Sequence, residues 1–158
     1  MPDAASQPCE QRDEFFVRAD VGDIRVASSW LADTGAEYGV PEEHVMRLDQ
    51  CLDEALANVI AHGGPSAHAV PIALALKVQR NLCGNEAALT VSDAGIAFDP
   101  LTAPVKPGPT SLLDAAPGGL GLTMMRHFAD ELSYRREGDR NHLTLVVQWL
   151  DAADQAHR

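Results

Sequence analysis

The sequence predicts an α+β fold: a two-layer α/β sandwich with a mixed, mostly antiparallel sheet and helices on one face. Three observations carry this prediction. Apolar residues recur at helical spacing in three segments. Strand-like runs come in pairs joined by turn residues. The order along the chain is β-α-α-β-β-loop-α-β-β. With 158 residues, the chain is long enough for one domain with its own core, and it needs no disulfide or metal staple.

Residues 1–12 read as a flexible polar leader, and the domain proper is expected over 13–150. Glu14 to Ala19, with Phe15, Phe16 and Val17, reads as a short strand. Ile24, Ala27, Trp30, Leu31 and Tyr38 give the next segment a helical period, and Gly39 is a fitting stop. Pro41 opens a second helix, where Glu42 and Glu43 suit the positive end of the helix dipole. Its apolar stripe is Val45, Leu48, Leu52, Leu56, Val59 and Ile60, and Gly63-Gly64-Pro65 reads as its stop. Pro71 to Gln79 and Glu86 to Asp93 form an expected hairpin, turned within Asn81 to Asn85. Five of the ten prolines fall in 100–117, too many for a helix or a central strand, so a long loop is expected there. Gly121 to Asp130 reads as helix. Leu132 to Arg136 and His142 to Trp149 read as a closing hairpin turned at Gly138-Asp139, before a polar tail over 151–158.

Charge narrows the function. Twelve Lys and Arg face 23 Asp and Glu, a net charge of −11. Too few cations remain to cluster against nucleic acid or an anionic membrane. The longest apolar run, Ala69 to Leu76, is far short of the ~20 residues a membrane span needs. Cys9, Cys51 and Cys83 are an odd number without CxxC pairing, and the first ten residues lack the basic start and apolar core of a signal peptide. Reduced thiols in the cytoplasm are expected. His62 and His68 make no metal pair, because no third ligand stands at a fixed offset.

Three clusters carry chemistry. Glu54, Asn58 and His62 are spaced four apart. Each such step turns a helix by about 40° and rises about 6 Å, so they lie along one line, away from the apolar stripe. Asp93-Ala94-Gly95 follows a strand, where a carboxylate can accept from an exocyclic amine and glycine admits a flat ligand. Gly118-Gly119-Leu120-Gly121-Leu122 precedes a helix, where bare backbone N–H groups and the helix dipole favour an anion. No Lys-Ser/Thr follows, so it is not a Walker motif. Singly, each cluster fits a plain reading as well: a solvated helix face, an Asx turn, a hinge.

In this order, the three clusters together resemble the GHKL ATPase/kinase superfamily, with its Bergerat (histidine kinase-like ATPase) fold. Within it they resemble the anti-sigma-factor serine/threonine kinase branch. Leu52 to Gly63 looks like that branch's N box, Asp93 to Pro100 like its first glycine box, and Gly118 to Leu122 like its second. The likeness runs over roughly 14–149. It implies ATP and Mg²⁺ as cofactors. Asn58 would coordinate Mg²⁺ and so bind the nucleotide, and Glu54 would be the catalytic base or orienter for the attacking hydroxyl. Asp93 would contact the adenine amine, with Gly95 beside the base. Gly119, Leu120 and Gly121 would line the phosphates, Thr144 would help hold adenine, and 100–117 would be the ATP lid. The resemblance implies a kinase that phosphorylates an anti-anti-sigma (antagonist) protein, sequesters a sigma factor and forms a homodimer. Two departures stand out: Ala97 replaces a second glycine found in many members, and Lys106 is the lid's one cation. The alternative is an ATP-binding, non-catalytic module that sequesters a partner.

Overall fold

The computed structural model describes residues 9–102 and 119–151. Its elements are β1 (Cys9–Val17), α1 (Val21–Glu37), α2 (Glu42–His62), α3 (Gly64–Ala69), β2 (Ile72–Asn81), β3 (Gly84–Asp93), α4 (Gly119–Phe128), β4 (Glu131–Glu137) and β5 (Arg140–Trp149). The strands form one sheet in the order β1-β2-β3-β5-β4. All four pairings are antiparallel, so the expected mixed sheet is corrected to a purely antiparallel one among the described residues. Two tight hairpins account for half of this, since a short turn can only reverse the chain.

Strand parity separates the layers. In β5, Asn141, Leu143, Leu145, Val147 and Trp149 are buried, while the alternate residues are not. Leu74, Leu76, Leu89 and Leu145 from the buried face meet Leu31, Leu48, Leu52 and Leu56 from the helices in one core. Each of these eight leucines is fully buried, a contribution of about 1.5–3 kcal/mol apiece. The helices therefore cover one face of the sheet. Among the described residues no helix is long and apolar enough to cross a membrane.

Several boundaries differ from expectation by one or more residues, and three of the differences have a clear cause. The strand begins at Cys9, so residues 9–12 belong to β1 and not to a leader. They are polar because β1 is an edge strand, paired along Cys9↔Arg80 to Val17↔Ile72 with side chains such as Gln79 donating to Glu10 at 2.9 Å. Gly63-Gly64-Pro65 ends α2 but also starts α3, with Gly64 at φ +75° and Pro65 in the first turn, where its missing N–H costs nothing. Helix α4 starts at Gly119, two residues early. The expected turns at Gly39 and Gly138 both hold, at φ +72° and +60°.

Candidate functional site

The C-terminal half of α2 and the ends of β3 and β5 line an open cleft. From α2 come Ala55, Asn58, Val59 and His62; from the facing wall come Asp93, Phe98, Tyr134 and Asn141. The helix reaches this wall through glycine. A Cβ on Gly95 would lie 2.8 Å from Asp93 Oδ1 and 2.9 Å from both Cα and O of Gly63, where the intervening space is already filled. The Ile96 N–H donates to Gly63 O at 3.0 Å, so the end of α2 is bonded directly to the loop after β3. The rings of His62 and Phe98 stack across the junction at 5.6 Å.

Asp93 is buried, and its Oδ1 accepts from the Gly95 N–H at 2.9 Å and from Asn141 Nδ2 at 3.0 Å. None of these bonds uses Oδ2, and the residue lines the cleft. Asn141 donates its second N–H to Ile96 O at 2.9 Å. Its carbonyl accepts from the Tyr134 hydroxyl and from Arg136 Nη1 at 3.1 Å. Arg136 Nη1 also donates to Gly95 O at 2.8 Å. Three strands thus converge on one carboxylate, in the register Asp93↔Asn141↔Arg136.

The predicted residues divide. Asn58, Asp93 and the Gly95 turn come together at the cleft. Glu54 is half-buried one turn before Asn58 on the same line of α2 and does not line the cleft. Neither Glu54 nor Asn58 makes a side-chain hydrogen bond or ion pair among the described residues. The neighbouring Asp53 carboxyl is raised by burial, and Asp49 and Glu54 push it further against the opposing bond from Ser28. Gly119, Leu120 and Gly121 form the first turn of α4. That helix is anchored to α2 by Arg47 Nε donating to Phe128 O at 2.7 Å and by the Cys51 thiol facing Met125 O at 3.9 Å. Burial pushes the Cys51 thiol up to about 11. Gly118 and most of the expected lid, 103–117, lie outside the described residues.

Thr144 is a correction. Its hydroxyl meets Thr90 at 3.1 Å on the open face of the sheet, away from the cleft. Strand parity is the reason: Leu143 and Leu145 point into the core, so Thr144 must point out. Asn141 has the inward parity and is the polar residue of β5 that lines the cleft. A polar residue two positions before an inward leucine was the signal that could have found it. Tyr134 and Arg136 were missed for the same reason, being inward polar positions on an edge strand with weak alternation.

The oxygen donors suit magnesium. Mg²⁺ keeps several waters and takes few protein ligands besides substrate phosphates. Asn58 offers an uncommitted amide oxygen in the cleft, and among the described residues no group of three or more His, Cys, Asp and Glu could hold a metal without such a substrate. His62 is engaged with Phe98, and His68 Nδ1 bonds Ala19 O at 3.0 Å, so the two histidines share no site.

With fold and cleft in place, the class follows. The family model described as the histidine kinase-like ATPase domain matches residues 17–147, and the chain belongs to that family. More particularly, it is similar to the serine/threonine-protein kinase BtrW of Bordetella bronchiseptica, at 45% identity over 99 residues, 63% of this chain and 67% of that protein. It is also similar to the anti-sigma F factor of Clostridium perfringens, at 28% identity over 132 residues, 83% of this chain and 89% of that one. Two solved structures share the fold at 15% identity. One holds the RsbU and RsbW domains of Rv1364c from Mycobacterium tuberculosis, with TM-score 0.59 over 86% of this chain but only 32% of that longer chain. The other is the SiaB–SiaC complex from Pseudomonas aeruginosa, with TM-score 0.57 over 85% of this chain and 88% of the matched chain.

Proposed function

We propose that the chain is a cytoplasmic Mg-ATP-dependent serine/threonine protein kinase that phosphorylates an anti-anti-sigma (antagonist) protein and acts as an anti-sigma factor in a partner-switching circuit. The observation that carries this reading is the pairing of Asp93 and Asn58 on opposite walls of one cleft, with Glu54 one turn before Asn58 on α2. Asp93 Oδ2 would accept from the adenine amine, and the first turn of α4 would offer its N–H groups to the phosphates. Glu54 would take the proton of the antagonist's hydroxyl as that oxygen bonds to the γ-phosphorus and ADP leaves. Bound Mg²⁺ would neutralise the phosphate oxygens, and Asn58 is the residue that would hold it.

Two features of the surface bear on partners. The open face of the sheet supports a homodimer: Phe16 is 62% exposed there, and Arg12, Lys77 and Arg135 are paired with Glu14, Glu10 and Glu137. That face is near neutral in a chain of charge −11, so two copies meet there with least repulsion. The remaining acidic surface complements a basic patch on a partner such as a sigma factor, which predicts binding that weakens as salt rises.

The test is incubation with labelled ATP, Mg²⁺ and the antagonist encoded nearby. Label on a serine or threonine that disappears with Glu54→Ala or Asn58→Ala supports the kinase. ATP binding without transfer supports a binding module that sequesters its partner, and absence of ATP binding overturns both.

A further inference from the structure

Asn141 is 5% exposed, and its amide has no spare bonding capacity. A primary amide offers two N–H donors and two carbonyl lone pairs. Both donors are used, on Asp93 Oδ1 at 3.0 Å and Ile96 O at 2.9 Å. The carbonyl holds the Tyr134 hydroxyl and Arg136 Nη1, with the Phe98 N–H farther off at 3.5 Å. Turning the amide over would set its NH₂ against two donors and its oxygen against a carboxylate. Its direction is therefore fixed, and it is fixed from β4.

The same arrangement fixes Asp93. With Oδ1 occupied by the Gly95 N–H and by Asn141, only Oδ2 has free lone pairs for a ligand. Arg136 Nη1 bridges Gly95 O and Asn141 Oδ1, so one guanidinium restrains both the loop and the amide that aim the carboxylate. Both amide N–H groups of Asn141 are already engaged, so neither is left to meet a base carbonyl.

We infer that Asn141, held by Tyr134 and Arg136, is the positioning residue through which Asp93 recognises a nucleobase by its exocyclic amine. The inference rests on the nucleotide-binding reading of the cleft. It makes amine recognition a property of three strands acting together, with Arg136 on β4 contributing without touching the ligand.

The experiment compares two nucleotides on the full chain with Mg²⁺ by calorimetry: ATP, and purine riboside triphosphate, which lacks the 6-amino group. The wild-type chain is expected to prefer ATP by about 10–100-fold, the span of one bond to a charged acceptor. In Asn141→Leu this preference collapses to less than about threefold, because Asp93 is no longer aimed. Arg136→Gln reduces it part-way, and as an exposed residue it carries the test should Asn141→Leu fail to fold. Thermal unfolding of each variant is followed alongside. If both nucleotides weaken by the same factor and the preference is unchanged, Asn141 and Arg136 merely support the fold and the inference is overturned. A wild-type chain that binds both nucleotides equally also overturns it, while one that binds neither overturns the nucleotide reading itself.

Discussion

At the β3 end of the cleft, polar atoms are bonded to one another; at the α2 end they are not. Asp93 and Asn141 are buried and share a closed set of hydrogen bonds that reaches Gly95, Ile96, Tyr134 and Arg136. Asn58 and Glu54 stand on the helix with no side-chain partner among the described residues. The first arrangement is organised before any ligand enters, so it pays little ordering cost on binding. The second leaves two oxygen-bearing side chains uncommitted, which under the proposed reading would meet the metal and the attacking hydroxyl. Under the proposed kinase reading, the contrast divides base recognition by Asp93 from the chemistry on α2.

Glu54→Ala should sharpen this division most. Single-turnover transfer from ATP to the antagonist is expected to fall about 10²–10⁴-fold, the usual worth of a general base, with ATP affinity nearly unchanged. Asp93→Asn keeps the shape but places an amide where an acceptor is needed, and should weaken ATP binding about 10–100-fold by calorimetry. Gly95→Ala forces a Cβ to within 2.9 Å of the Gly63 backbone. It should weaken ATP binding about tenfold and lower Tm by a few degrees, an expected loss of about 1–2 kcal/mol. A Gly95→Ala chain with unchanged affinity would break the claim that the β3 end is rigid.

The smallest effect lies beneath the α2–α4 junction. The Cys51 thiol is pushed up to about 11 from 9.0, because burial disfavours the thiolate. At pH 8, iodoacetamide should label the exposed Cys9 and Cys83 and spare Cys51, giving two adducts by mass spectrometry. The unfolded thiol ionises near its ordinary value while the folded one stays protonated, so this contribution to stability is intact below pH 9 and is lost as pH rises towards 11. A third adduct in the native state would show that α4 lifts from α2.

Much of this was legible in the sequence because the physics behind it is local. The Leu48–Leu52–Leu56 stripe, the glycine stops and the paired strand runs each specify their element through spacing alone. That Asn58 and Asp93 line one cleft was legible because their motifs are contiguous. Asn141 was not, since its importance comes from pairing with Asp93 across two strands 48 residues apart in sequence. The resemblance puts Thr144 beside the adenine by its place on the last strand, but strand parity turns its side chain to the open face of the sheet. The strand content of residues 9–12 was hidden by their polarity, which an edge strand tolerates on its open side. The short helix α3 was hidden behind a glycine-proline stop that also serves as a start.

The most direct test of the division is steady-state transfer to the antagonist at varied ATP, measured for Glu54→Ala and Asp93→Asn in parallel. The account predicts that Glu54→Ala lowers kcat with KM for ATP unchanged, and that Asp93→Asn raises KM with kcat recovered at saturating ATP. Parallel losses in both constants for both variants would contradict it, because Asp93 and Glu54 would then be doing the same work.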